Sequence, residues 1–479
     1  MTDTNNTSST DGKALKAGVW YTICTVLQKG LSFITMPVFT RIMSKADMGL
    51  FSTYASWISL FVTITTFDLP LSIIRSKHEF KDDIESYSFS ILTLTTAINT
   101  IFLAVTLLFK DWIFGDLLEI KPAFLLPMFL YLFLSPATDV YATKNRAFYK
   151  YKAYLIATLA ATITSTAVSV FLVVSSEDKL SGRFYGNYIT LALVGLVFYV
   201  IVAVQGKRVK FRYWKDGFVL CFPLLLHLLS LYILGSSDKI MITKFVGAEF
   251  TALYGTANSA VHVATVLMHS LNRSWAPWML DMLEYKNYKK LNDVVKPYIL
   301  LYFTIVLGCL LAGPEIILIL GGRAYQEAVY IMPPLFIGTM FTFMYQIYLQ
   351  TEFYEKKTKY VGLATVIAAL INIGLNFVFI PKFGYIAAGY TTLIGYMCMF
   401  LFHYFYSCKL GYRNLFDNRF IFGILGFALL LLPIMSISYK VLALRIVLIL
   451  AYCAMMAFAA YKYRDKIKEF IASKKRSRA

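Results

Sequence analysis

Charge is what this 479-residue chain has least of: Asp, Glu, Lys and Arg together make up 15% of it. A water-exposed globular surface needs more, so a soluble enzyme of ordinary composition is excluded. Cysteine is scarce too. Five of the six, Cys24, Cys221, Cys309, Cys398 and Cys453, lie inside apolar stretches and Cys408 sits at the end of one; none forms a C-x-x-C pair and no Cys/His group has metal spacing. They read as small apolar fillers, not as disulfides or zinc ligands. The phosphate-cradling G-x-x-x-x-G-K-[ST] loop is absent, so ATP does not drive the chain directly, and H-E-x-x-H, G-x-S-x-G and a D-x-D glycosyltransferase pattern are missing as well. No loop between apolar runs exceeds about twenty residues. Nothing here calls for an enzyme, a metal or a cofactor, and whatever the chain does takes place between its apolar segments.

What is abundant is apolar surface, 58% of the residues. A spanning helix uses about 20 of them, and fourteen continuous runs are found, from 17–40 through 217–245 and 251–277 to 444–462. Continuous rather than alternating runs exclude a β-barrel. The expected fold is therefore an all-α polytopic membrane protein of about fourteen transmembrane helices. The first residues, 1–16, form a polar cytoplasmic tail with the composition of disorder, and the long run that follows is a span, not a cleaved signal. With the N-terminus inside, inner segments carry 32 Lys and Arg against 11 in the outer loops, while Lys29, Lys239 and Arg273 lie within spans. This positive-inside bias puts both termini in the cytoplasm. It also accounts for the net charge of +19, so no nucleic-acid partner is needed.

A faint internal repeat divides the chain. Gly49–Ser56 opens the second span and Ala252–Ser259 the eighth, with Leu, Thr and Ser matching at one offset and an acid just before each, Asp47 and Glu249. Six helices separate the copies. The expected division is an N-lobe over 17–210, a C-lobe over 211–410, two extra helices over 411–463 and a basic tail over 464–479, with a central cavity between parallel repeats.

Polar side chains inside spans are expensive and face a bundle interior or a wet cavity. In the eighth span Asn258, His262, Thr265, His269 and Arg273 recur along one helical face, and Thr22, Thr25, Lys29 and Ser32 do so in the first. Lys29 and Arg273 are thus the best-buried cations expected, either contacting substrate or pairing with Asp68, Asp139 or Glu315. Asp139 is a candidate proton or cation site, Glu315 beside Pro314 a candidate gating acid, and His227, His262 and His269 candidate proton relays. Asp238 and Lys239 are adjacent and so point to different faces, which argues against mutual neutralisation. Asn372 and Asn376, one helical turn apart, line the cavity or stitch helices together. The prolines, among them Pro37, Pro70, Pro136, Pro223, Pro314, Pro333 and Pro334, fall in or beside spans, as bent helices around a cavity require.

Several stretches together resemble the Wzx-type polysaccharide flippases of the multidrug/oligosaccharidyl-lipid/polysaccharide exporter superfamily. They are Gly18–Tyr54 with Pro37-Val38-Phe39-Thr40-Arg41 and Gly49-Leu50-Phe51, Pro223–His227 followed by Ser236–Ile242, Leu253-Tyr254, Trp275-Ala276-Pro277-Trp278, and Ile380–Gly384. They occur in the family's order across nearly the whole chain. The resemblance implies two six-helix lobes and a terminal pair in the bacterial inner membrane. It implies passage of an undecaprenyl-pyrophosphate-linked oligosaccharide, as in O-antigen or lipopolysaccharide biosynthesis, by alternating access. It also implies that Lys29 and Arg273 hold the pyrophosphate, and a polysaccharide polymerase and a chain-length regulator are candidate partners; the energy source is open between an H+ or Na+ gradient, membrane potential acting on charge, and downstream glycan consumption. Two rival readings are a cation-coupled multidrug exporter of the same superfamily, which would want an acidic cavity, and a glycan polymerase, which would want a long outer loop.

Overall fold

The computed structural model describes residues 33–357 and 359–462, together with 20, 21, 23, 24, 27, 28, 30, 31 and 464. Helices dominate, and no strand occurs among the described residues. The apolar runs become α1 (Phe33–Ile42), α2 (Lys45–Thr66), α4 (Ile84–Leu108), α7 (Tyr151–Ser175) and α8 (Lys179–Gly206), with the short α3 (Ser72–Glu79) between α2 and α4. α5 (Leu125–Leu134) and α6 (Pro136–Ala147) meet at Pro136 and make one span. The second half holds α9 (Phe211–Phe245), α10 (Ala248–Glu284), α11 (Tyr288–Leu311), the short α12 (Gly313–Gly321), α13 (Met332–Tyr354), α14 (Lys359–Phe383) and α15 (Tyr385–Ser407). A closing pair follows, α16 (Asn418–Ser438) and α17 (Leu442–Lys462).

Twelve of these elements are long and apolar enough to cross a membrane. α10 is long enough but too polar to qualify on composition, and α1 is described only from Phe33 onward. Together they make the fourteen that the apolar runs lead one to expect. Several boundaries move. α9 and α10 run to 35 and 37 residues, about 50 Å at 1.5 Å per residue against a 30 Å hydrocarbon core, because polar residues beyond the apolar runs continue the helix into water. The expected ninth span, 297–320, is in fact α11 followed by a separate α12.

Most helix ends have a local cause. Ser44 caps α2 by accepting from the Asp47 amide, and Asp178 caps α8 by accepting from that of Ser181. Phe67 and Asp68 both adopt the left-handed conformation, φ 50° and 51°, which stops α2 and turns the chain into α3. Pro136, Pro314 and Pro333 lie at helix starts, and Pro70 opens a short 3-10 turn. The missing N–H of proline is harmless there, so these four are not kinks; Pro223, Pro277, Pro297, Pro381 and Pro433 do lie within helices.

Two bundles result. In the N-terminal one, α1–α8, small residues let helices touch: a methyl on Gly186 would strike the Ser169 backbone, drawing α8 onto α7. In the C-terminal one, α9–α15, α13 is the most enclosed element, packed against α10, α15 and α16. The bundles meet where α2 packs on α9 and α10. There Gly49 is indispensable, because any β-carbon would overlap the Ala248 carbonyl. The matched repeat positions Ser52 and Gly255 face each other across this seam. α17, by contrast, has no fully buried residue, and it packs on α11 and α16 along one half-buried face that includes Leu448, Ile449 and Tyr452.

Candidate functional site

Just inside the α2/α10 seam lies a chamber of about 340 Å³, walled by α1, α2, α7, α8, α9 and α10. Its polar lining joins the hydroxyls and amide of Thr35, Ser52, Thr166, Ser169, Asn187 and Ser259 to the cations Arg183 and Lys239; the Ser52 and Ser259 hydroxyls donate to the Met48 and Gly255 carbonyls. No acid lines it. Ser169 is 3% exposed and its hydroxyl has no partner. The Arg183 guanidinium lies 4.1 Å from the ring centre of Phe39 and 4.0 Å from that of Phe51. It donates to the Met48 and Met43 sulfurs at 2.5 and 3.7 Å. Among the described residues neither Arg183 nor Lys239 meets a carboxylate within ion-pair distance. Two cations with no carboxylate at ion-pair distance, around a space this size, are suited to an anion.

One residue before Lys239, the Asp238 side chain points the other way. It is 1% exposed, accepts from Thr392 Oγ1 at 2.7 Å, Asn376 Nδ2 at 2.5 Å and the Tyr254 hydroxyl, and sits between α9, α14 and α15. Asn376 also donates to Asn372 Oδ1 at 3.2 Å and accepts from Thr391, while Asn372 reaches Thr392 at 3.4 Å. The adjacent pair therefore splits between two environments, a closed oxygen-rich knot and an open cationic chamber. Asn372 and Asn376 stitch helices; neither lines the chamber.

Toward the basic end a second space of about 370 Å³ is lined by Thr63, Thr66, Asp68, Asp139 and Thr143. Asp68 and Asp139 are exposed and within electrostatic reach of each other and of Arg146. The chamber face of α10, Ala252, Gly255 and Ser259, continues at helical spacing into His262, His269 and Arg273. Thus the polar stripe, which includes the half-buried Asn258, faces the space between the bundles. Arg273 reaches the electrostatic neighbourhood of Tyr154 on α7, so it looks across at the N-terminal bundle.

Some expectations change. Arg273 is exposed in this opening rather than deeply buried, because the two bundles part toward the basic end. Lys29, with Thr22, Thr25 and Ser32, lies outside the described residues. Glu315 lines neither space: α12 carries it to the rim, where Arg445 of α17 bonds its carboxylate. His227 is half-buried and its Nδ1 has no partner. All six cysteines are unpaired, and no metal-ligand cluster exists among the described residues.

Two features escaped sequence reasoning. Arg183 falls in 176–184, a stretch that reads as an outer loop, but α8 already begins at Lys179. Glu352 follows the expected end of the tenth span, yet it is 0% exposed and meets His403 Nδ1 at 2.5 Å, also at 0%. In both cases the helix simply outran its apolar run.

Comparison with known proteins accords with this geometry. The chain is 24% identical over 483 residues to an uncharacterized membrane protein of Methanocaldococcus jannaschii, MJ1068, covering 94% of each. Its fold is similar to that of a lipid II flippase MurJ in an inward closed conformation, TM-score 0.70 at 16% identity, covering 94% of this chain and all of the other. It is also similar to an inward-facing multidrug resistance MATE family transporter of the MOP superfamily, TM-score 0.62 at 14% identity, covering 83% and 98%. At such identities the likeness is one of fold. Matched over residues 14–283, more than half its length, this multi-pass membrane protein belongs to the polysaccharide biosynthesis protein family.

Proposed function

We propose that the protein is a flippase that carries an undecaprenyl-pyrophosphate-linked oligosaccharide across the bacterial cytoplasmic membrane by alternating access, with both termini in the cytoplasm. The single observation behind this is the acid-free chamber that holds Arg183 and Lys239 with no carboxylate at ion-pair distance among the described residues. A pyrophosphate carries at least two negative charges and enters hydrocarbon only when cations and donors replace its water. The headgroup enters from the basic end past Arg146 and Arg273, settles against Arg183 and Lys239, and is enclosed by serine and threonine hydroxyls. The polyprenyl tail stays in lipid. Arg273, exposed where the bundles part, keeps its expected headgroup role at the mouth of this path, and the same role remains proposed for Lys29. Asp68 and Asp139, beside the path, accept hydrogen bonds from sugar hydroxyls.

Coupling to an H+ or Na+ gradient is assigned to the Asp238 knot, where the Asp238 carboxylate of α9, one residue from Lys239, meets the Asn372 and Asn376 amides of α14. The glycan's identity, whether O-antigen or another surface polysaccharide, belongs to the pathway. A polysaccharide polymerase and a chain-length regulator are the partners this role calls for. The chamber's lack of acids disfavours export of organic cations.

The test is transbilayer movement of a fluorescent polyprenyl-pyrophosphate sugar in proteoliposomes. Arg183→Gln and Lys239→Gln each remove a charged hydrogen-bond donor, worth about 1.5–3 kcal/mol, so each slows transfer roughly 10- to 150-fold while insertion stays normal. Wild-type transfer by both variants at equal protein amounts would refute the reading.

A further inference from the structure

The contacts that hold Arg183 and those that seal the chamber's far end alternate along the same two helices. On α1, Phe39 stacks on Arg183, and its neighbour Thr40 donates to the Leu320 carbonyl of α12 at 2.7 Å. On α2, Met48 accepts from Arg183, and its neighbour Gly49 abuts the Ala248 backbone of α10. Two residues beyond Phe51, which forms the second face of the cage, Thr53 bonds Thr243 of α9 at 2.5 Å, and Thr243 bonds Thr251 of α10 at 2.6 Å. Each cage residue thus lies within two positions of a residue that joins the bundles. The arginine in turn projects from α8, a third helix of the N-terminal bundle.

We propose that Arg183 is a sensor that couples arrival of an anion in the chamber to release of the seal. Among the described residues, the ring faces of Phe39 and Phe51 and the sulfurs of Met48 and Met43 hold the guanidinium against α1 and α2. A phosphate oxygen is a far stronger partner, since charge-assisted bidentate bonds exceed cation–π contacts in water-poor surroundings. When a diphosphate enters beside Lys239, Arg183 turns toward it and leaves Phe39, Phe51 and Met48. Those residues lose the contact that fixes their rotamers, and the adjoining Thr40, Gly49 and Thr53 lose their register against α12, α10 and α9. Opening is then conditional on cargo, which keeps the passage shut to ions when no headgroup is present. Arg183 in this role is a positioning residue for the conformational step, distinct from its service as a binding charge.

This inference rests on the chamber being an anion site, and the experiment separates the two. Spin labels on Glu177→Cys and Lys382→Cys, both exposed at the sealed end of opposite bundles, report opening by pulsed electron resonance in the full chain with its native cysteines replaced. Calorimetry with inorganic pyrophosphate on the same protein reports binding. Wild-type protein should bind pyrophosphate and show a longer inter-label distance in its presence. Phe39→Leu with Phe51→Leu should bind it as well, yet populate the longer distance without it, on the order of fivefold more than wild type. Arg183→Lys keeps the charge but cannot stack as a planar fork between two rings. It should bind pyrophosphate more weakly and, at saturating pyrophosphate, lose the difference between bound and free distances. Absence of pyrophosphate binding by the wild type would overturn the anion site itself. Binding without a distance change, or a double leucine variant that stays sealed and still opens on binding, would overturn the sensor while leaving the anion site intact.

Discussion

Gly49→Ala is the smallest change that should unseat the closed arrangement. A β-carbon at this position meets the carbonyl oxygen, carbonyl carbon and Cα of Ala248, all backbone atoms of α10 that cannot rotate aside. Overpacking of that kind costs about 1–3 kcal/mol, and here the strain falls on the joint between bundles rather than within either core. At about 1.4 kcal/mol per tenfold, the sealed population drops roughly 5- to 150-fold relative to open forms. Amide hydrogen exchange should therefore quicken in Lys45–Ser56 and Ala248–Ser259, while thermal unfolding of the whole protein shifts little. Gly255→Ala is the internal control, since its β-carbon would find only the Ser52 hydroxyl, at 3.6 Å. Unchanged exchange in a well-folded Gly49→Ala protein would refute the close approach, and so would equal responses to the two substitutions.

Three further outcomes are expected. Asp178→Ala removes the cap of α8 and should cost about 0.5–2 kcal/mol in thermal unfolding. The Ser181 amide, then the Ser181 hydroxyl and Lys121, hold the Asp178 carboxyl below its usual range. The capping benefit is therefore full above the ordinary carboxylate range, and the gap between wild type and variant should close as pH falls through the lowered value. Glu352→Ala leaves His403 Nδ1 without its partner inside the C-terminal bundle, where an unsatisfied buried polar group costs about 1–3 kcal/mol, readable as a lower unfolding temperature in detergent; an unchanged temperature would argue against the contact. Asp238→Asn keeps the bonds from Thr392 and the Tyr254 hydroxyl but removes the charge, so transport in proteoliposomes should lose its dependence on an imposed ion gradient while the protein stays folded.

The fourteen-span plan was legible because hydrocarbon demands long apolar runs, and these stand out without any tertiary information. α10 shows where that rule thins: its polar face disqualifies it by composition, yet the 3.6-residue recurrence of Asn258, His262, His269 and Arg273 still marks one wall of the opening between bundles. Asp238, Asn372 and Asn376 were recognisable one by one as costly polar groups in spans. Their convergence depends on how α9, α14 and α15 pack, and no local pattern encodes that. Arg183 and Glu352 were invisible for a different reason. Hydropathy ends a span where polar residues begin, whereas hydrogen bonding continues the helix, so charged side chains just past an apolar run were read as loop and turned out to be interior. The prolines misled in part, since a ring at N1 starts a helix as readily as one in the middle bends it.

The joint between the bundles is closed by alcohols. Thr53, Thr243, Thr251, Thr40 and the Tyr232 hydroxyl on the Ser56 carbonyl are all uncharged. Each such bond contributes about 0.5–1.5 kcal/mol net, and every hydroxyl released finds water at once. Among the described residues a door fastened this way has no ion pair across it for salt to weaken, and the charged donor that does cross, Arg41 to the Ile319 carbonyl at 3.4 Å, lies at the exposed rim and is not stranded from water when it swings. Its rate of opening should be nearly indifferent to ionic strength, and thermal motion alone suffices to part it once the cage beneath has let go.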